Sequence, residues 1–210
     1  MTTIYTYNGQ VLTEASTGKW LIEKEVPIDP LNPLNLPTNT VRVRTNDGQP
    51  PVRGKYSSYE TATLVTGTSD VYDVYKSGTD FIATLYGATN VIEVLGANTT
   101  GITRMRSLFY ECTALTSVAL FNTSSVTDMM YMFFNCSSLT SIPLFNTSSV
   151  TMMDAAFYEC RKVESGALAL YQQVSSQANP PSTHTYVFYN CGIDTTTGAA
   201  ELAQIPSDWK

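Results

Sequence analysis

Charge is scarce in this 210-residue chain: 14% of its residues are Asp, Glu, Lys or Arg, so Ser, Thr, Asn and Tyr must supply most of the polar surface. Basic clusters are missing as well. The densest basic stretch, Arg42, Arg44 and Arg53, is interrupted by Asp47 and two prolines, and the net charge is −6. A phosphate backbone would be repelled, so nucleic acid is not an expected partner. One histidine, His184, leaves no Ser/His/Asp arrangement to support. A Gly-rich phosphate loop is absent, and the four cysteines contain no Cys-x-x-Cys pair, so neither a cofactor nor a metal is expected. Membrane insertion is not expected either, because no apolar run approaches the roughly 18 residues that a spanning helix needs. The residues after Met1 carry neither the basic nor the apolar region of a secretory signal.

What the chain has is a period. Cys112, Cys136 and Cys160 stand 24 residues apart, as do Met105, Met129 and Met153, and Phe109, Phe133 and Phe157. The phrase Phe-Asn-Thr-Ser-Ser-Val-Thr occupies 121–127 and recurs unchanged at 145–151, with a worn copy at 97–103. Residues 81–96 align with 105–120 as a degraded first unit, placing Phe81 under Met105, Leu85 under Phe109 and Ala88 under Cys112. A fixed period of this size predicts stacked supersecondary units in place of a closed globule.

Each unit contains two patterns. Met129, Met132, Phe133 and Cys136 stand at i, i+3, i+4 and i+7, which predicts one face of a short helix, with Thr103, Thr127 and Thr151 placed to cap such helices. Leu115, Val118 and Leu120, and likewise Leu139, Ile142 and Leu144, end in strand-like alternation. Further on, 167–177 reads as a longer helix stopped by Asn179-Pro180-Pro181, 199–204 as a closing helix, and Trp209 as a cover for the last unit.

The N-terminal part reads differently. Residues 4–12 suggest a hairpin turning at Asn8-Gly9, residues 19–26 a third strand, and the four prolines within 27–38 an extended arm. Val41–Arg44, 61–66 and Val71–Tyr75 form a second β-rich block. The expected organisation is therefore an arm-bearing region 1–38, a β-rich block 39–80 and a repeat region 81–210.

Phe-(Tyr/Phe)-x-Cys followed by Leu-Thr-Ser-(Val/Ile)-x-Leu-Phe-Asn-Thr-Ser-Ser-Val-Thr resembles the BspA-like leucine-rich repeat proteins, over about residues 81–192. The segments 41–80 and 160–210 look like those flanking such repeats in short proteins of gut bacteria and their phages. The resemblance implies an α/β fold: a short right-handed leucine-rich-repeat-type β/α solenoid with strands lining one face, preceded by a β-rich N-terminal region. It also implies adhesion or partner binding, and it carries no catalytic residues.

Several residues are candidates for more than packing. Cys112, Cys136 and Cys160 would lie about 4.8 Å apart in adjacent units, within reach of a disulfide, yet their inward register favours buried free thiols. Asn98, Asn122 and Asn146 each begin an Asn-Thr-(Ser/Thr) sequon. They are either glycosylation acceptors or, as one recurrence per unit favours, a ladder of side-chain amides satisfying neighbouring turns. Tyr110, Phe134, Tyr158 and Tyr189 each follow the inward phenylalanine and would form an outer aromatic stripe, with Tyr131 beside them. Carboxylates at Glu111, Asp128, Asp154 and Glu159 fall on the units' surfaces, and a glycosidase would need two of them about 5–10 Å apart across a cleft. Nothing in the sequence selects such a pair.

Together these readings predict a non-enzymatic structural and binding protein, a phage virion surface component at head or tail. Its N-terminal region would join other virion proteins, and its repeats would meet a host cell-surface glycan or protein. Symmetric virion positions predict a homo-oligomer. A bacterial cell-surface adhesin is the alternative, and a glycan-cleaving enzyme the weaker third.

Overall fold

The structure is a computed structural model that describes residues 34–210 and, by backbone placement, three strands ahead of them. Those strands, β1 (Ile4–Tyr7), β2 (Gln10–Glu14) and β3 (Trp20–Glu25), form an antiparallel sheet in that order. Tyr7 pairs with Gln10, the register of a two-residue connection. The turn predicted at Asn8-Gly9 and the arm's residues 27–33 lie outside the described residues. Residues 34–38 are described, and Leu36 is buried, its carbonyl accepting a 2.7 Å bond from Asn98 Nδ2.

A second sheet has five strands: β4 (Thr40–Thr45), β5 (Thr61–Leu64), β6 (Val71–Tyr75), β7 (Val91–Asn98) and β8 (Ser117–Val118), in the order β5-β6-β4-β7-β8. All its pairings are antiparallel except β7–β8, which is parallel, so the sheet is mixed. Val41, Val43, Val74, Val91 and Val94 are buried, with register shifts between β4 and β7. Arg42 and Asp73, paired across β4 and β6, close a bidentate ion pair at 2.7 and 2.8 Å.

The expected leucine-rich-repeat-type β/α solenoid does not form. The described residues build this mixed five-stranded sheet with only two short α-helices, and neither helix is one predicted inside a repeat. The i, i+3, i+4, i+7 residues are buried as a helical face would be, but the backbone carrying them is a chain of tight turns. Every fourth residue adopts positive φ: Ser107 (56°) and Glu111 (57°) in one unit, Tyr131 (58°) and Asn135 (54°) in the next, Ala155 (52°) and Glu159 (58°) after them.

Left-handed residues interrupt helical progression at about 1–2 kcal/mol each. Here the cost is offset by hydrogen bonds between units. The amides of Met105, Ser107, Phe109 and Glu111 donate to the carbonyls of Asp128, Met130, Met132 and Phe134 at 2.8–3.0 Å, while those of Leu108, Tyr110 and Cys112 close turns onto carbonyls three residues back. Helical spacing in the letters thus reflects a turn that buries the same positions without i→i−4 bonding.

The predicted strands are equally reduced. Only Ser117–Val118 pairs as a strand, and Ser141 makes a single bridge to Ser165. Leu120 and Leu144 point outward, 43% and 51% exposed, while Phe121 and Phe145 one position on are buried in their stead. Thr103, Thr127 and Thr151 cap no helix. The amides of Thr127 and Thr151 donate to Thr103 O and Thr127 O at 2.8 and 2.9 Å, and their hydroxyls to the same carbonyls at 3.2 and 3.1 Å.

The chain closes with α1 (Ala167–Ser175), α2 (Thr196–Gln204) and a 3-10 turn at Ser207–Trp209. Gly166 starts α1 at φ 98°, and a Cβ there would stand 2.3 Å from the Ile142 carbonyl oxygen. Only glycine fits that approach. Trp209 is buried against Phe188, stacked on His184 at 4.3 Å and met edge-on by Tyr171.

Candidate binding surface

Stacking the units places equivalent side chains in columns. One of these, part-exposed along its length, is aromatic. Tyr86 and Tyr110 stack at 4.5 Å between centroids, Tyr110 and Phe134 at 4.6 Å, Phe134 and Tyr158 at 4.7 Å, and Tyr158 and Tyr189 at 4.7 Å, with interplanar angles from 2° to 13°. The spacing matches that of hydrogen-bonded backbones, so the interunit bonds themselves set the stack. Tyr131 and Tyr186 meet Phe134 and Tyr189 edge-on from the side, at 6.1 and 5.8 Å. Tyr56, from the loop between β4 and β5, stands at 85° to Tyr86.

Because the inner rings use both faces on each other, the column offers solvent a row of ring edges and phenol hydroxyls. Burial, then the neighbouring Tyr86 and Glu111, pushes Tyr110 up to about 12, and burial likewise raises Tyr86. These hydroxyls stay protonated, as donors, throughout the neutral range.

Two depressions flank this column. One, about 560 Å³, runs between Tyr56 and Tyr131 over the small residues Ala83 and Ser107. The other, about 390 Å³, shares Tyr56 and Tyr86 and is lined also by the polar side chains of Lys55, Thr89, Glu111 and Asn135.

The remaining candidates have structural surroundings. Cys112, Cys136, Cys160 and Cys191 are buried free thiols. The first three donate to the carbonyls of Leu85, Phe109 and Phe133 at 3.1, 3.0 and 3.1 Å. Burial raises all four, Cys112 to about 12.

Asn98, Asn122 and Asn146 do not bond one another's units through their amides. Each Oδ1 accepts locally from the amide two residues on, at 3.2, 3.0 and 3.0 Å. The interunit link belongs to the next residue: Thr99 Oγ1 donates to Asn122 O, and Thr123 Oγ1 to Asn146 O at 2.9 Å. In the last copy the Gln173 and Gln177 side chains of α1 and the residues after it take over, both donating to Thr147 Oγ1. The repeated Asn-Thr thus carries the ladder on its threonine hydroxyl, while the asparagine closes a local turn.

Three of the four candidate carboxylates are engaged, and Asp128 lies in the interior, not on its unit's surface. Asp128 is 2% exposed, 2.9 Å from Arg106 Nε, with Oδ1 accepting the Met130 amide. Burial would raise Asp154, but the Thr183 hydroxyl and the Thr185 amide and hydroxyl outweigh it and hold the carboxyl below its usual range. Glu159 pairs with Arg161 and accepts from Asn190 at 2.8 Å. Glu111 alone has no hydrogen-bond partner for its carboxylate among the described residues.

Sequence reasoning passed over Tyr56 and Tyr86. Tyr86 stands 24 residues before Tyr110 and follows from the first unit's alignment, whereas nothing periodic marks Tyr56.

Among the described residues no cluster of His, Cys, Asp and Glu could hold a metal ion, and no helix is long and apolar enough to cross a membrane. The stacked turns and their columns define a repeat protein whose units cohere through interunit backbone bonds. Residues 79–190, just over half of the chain, match the family described as Mycoplasma protein of unknown function, DUF285, and the chain belongs to that family. No curated protein matches the chain. No solved structure matches it either.

Proposed function

We propose that this chain is a BspA-like member of its family acting as a non-enzymatic binding protein: a phage virion surface component whose repeat region meets the host surface. The observation that carries the binding role is the five-ring column from Tyr86 to Tyr189, with the depression between Tyr56 and Tyr131 beside it. Aromatic rings presented together at a surface provide contact area at low entropic cost, which is why Tyr is enriched where proteins bind. Its rings are held by neighbours on both sides, so this row is preorganised and little ordering remains to be done on association. The virion assignment rests on the likeness of the letters to phage-borne proteins. In this reading the N-terminal three-stranded sheet joins other virion proteins, in a homo-oligomer that follows virion symmetry.

Two measurements test the proposal. Immunogold labelling of purified particles should decorate head or tail, and labelling confined to bacterial cells would reject the virion assignment. Fluorescently labelled full chain should bind host cells, and Phe134→Ala with Tyr158→Ala should weaken that binding at least tenfold. Unchanged binding by the double variant would remove the column from the interface.

A further inference from the structure

The smaller depression beside Tyr56 combines an exposed aromatic ring with several polar side chains. Tyr56 is 57% exposed, with the Lys55 ammonium 5.1 Å from its ring centroid. Around it stand Glu111, Asn135, Thr89 and Thr113, and none of these four side chains makes a hydrogen bond among the described residues. Asp128, Asp154 and Glu159, by contrast, are tied to arginines, asparagines or amides.

The walls are also fixed. Gly54 donates its amide to Tyr86 O at 3.1 Å, and a Cβ on Gly54 would stand 2.2 Å from that same oxygen. Glycine is therefore required for the Tyr56 loop to lie directly on the first unit, and the recess is formed before any ligand arrives. Glu111 and Asn135 sit at the recurrent positive-φ position, one unit apart, so their side chains leave a backbone that is itself bonded to the next turn.

From this geometry we infer that the recess between Tyr56, Tyr86, Glu111 and Asn135 is a subsite for a neutral glycan. The inference deepens the binding role proposed above and rests on it for its biological setting. The lining charges, Lys55 and Glu111, cancel, which disfavours a strongly anionic or cationic ligand. What remains is one exposed ring beside a carboxylate, an amide and two hydroxyls. This combination suits a pyranose, whose apolar C–H face can lie against an aromatic ring and whose edge of hydroxyls both donates and accepts. Glu111 supplies acceptors only, Asn135 and the threonines both functions. The neighbouring depression toward Tyr131, sharing Tyr56 and Tyr86, extends the site past one sugar unit.

The full chain is titrated by calorimetry and by saturation-transfer NMR against neutral tetrasaccharides of glucose, mannose and galactose, a sialylated trisaccharide and a tyrosine-free decapeptide. At least one neutral tetrasaccharide should bind, and Tyr56→Ala and Glu111→Gln should each weaken it tenfold or more with melting temperature unchanged. Binding of none of the neutral sugars at millimolar concentration, binding of the peptide alone, or neutral-sugar binding unaffected by Glu111→Gln overturns the inference.

Host-cell binding of the same protein separates this outcome from the broader reading. Cell binding that survives periodate oxidation of the cells defeats the glycan subsite and leaves the binding role standing. Sugar binding without cell binding supports the subsite and defeats the host-surface role.

Discussion

The thiol of Cys136 donates to the carbonyl oxygen of Phe109, 3.0 Å away and 27 residues earlier in the chain. Cys112 and Cys160 repeat the contact with Leu85 and Phe133. The cysteine column is thus a line of packed, hydrogen-bonded thiols threading successive units.

Alkali should unfold this protein by way of those thiols. Burial raises each folded thiol above its ordinary value of 9.0, while the unfolded chain keeps that value. The folded state therefore holds protons that the unfolded state releases, so stability is full below about pH 9 and falls as pH rises toward the folded values. Linkage sets the slope at roughly 1.4 kcal/mol per thiol for each pH unit above 9. Urea midpoints measured from pH 7 to 10.5 should decline past pH 9, and replacing all four cysteines by alanine should flatten the profile. Iodoacetamide should leave all four unmodified at pH 7.5 without denaturant.

Phe134 holds the middle of the aromatic column, sandwiched at 4.6 and 4.7 Å. Each stack contributes about 0.5–1.5 kcal/mol beyond burial, so Phe134→Ala should cost about 2–3 kcal/mol in chemical denaturation. Phe134→Tyr, which restores the residue type of the flanking units, should cost under about 0.5 kcal/mol, as surface-facing substitutions do. An equal loss in both variants would contradict the stacking account.

Thr84 carries a fully buried hydroxyl with no hydrogen-bond partner among the described residues. It occupies the inward place that Leu108 and Met132 hold in later units. A buried orphan hydroxyl costs about 1–3 kcal/mol, so Thr84→Val should raise the unfolding free energy by about 1 kcal/mol. A destabilised valine variant would show that the hydroxyl has a partner after all.

Gly166→Ala should be among the most damaging single substitutions. It forces a Cβ to within 2.3 Å of the Ile142 carbonyl oxygen at a φ of 98°. Strain of this kind costs about 1–3 kcal/mol before the clash is counted. Loss of the cooperative transition, or a melting temperature lower by several degrees, is expected by differential scanning calorimetry. A wild-type melting curve would refute the close approach.

The burial pattern of the repeats could be read directly. Met105, Leu108, Phe109 and Cys112, and their counterparts one and two units on, are all in the core, because apolar spacing reports which side chains must leave water whatever backbone carries them. The conformation was not readable at the same level. An i, i+3, i+4, i+7 spacing suits a helix and a series of tight turns equally, and local propensity does not favour left-handed φ at Ser107 or Tyr131.

The candidate surface divides the same way. Tyr110, Phe134, Tyr158 and Tyr189 could be singled out by their place after each inward phenylalanine, but Tyr56 joins them from another part of the chain. Strand alternation puts Leu120 and Leu144 on the face of Val118 and Ile142, yet Phe121 and Phe145 hold the core positions because the strand is only two residues long.

The letters alone determined the unit length and the inward set of Met105, Leu108, Phe109, Cys112 and their counterparts, since a repeat buries the same positions every time it is copied. The handedness of each turn, the breadth of the sheet and the recess beside Tyr56 were decided by tertiary structure. The physical reason is that a left-handed residue is unfavourable in isolation, and becomes stable only when the amides of the adjoining turn find carbonyls in the next unit.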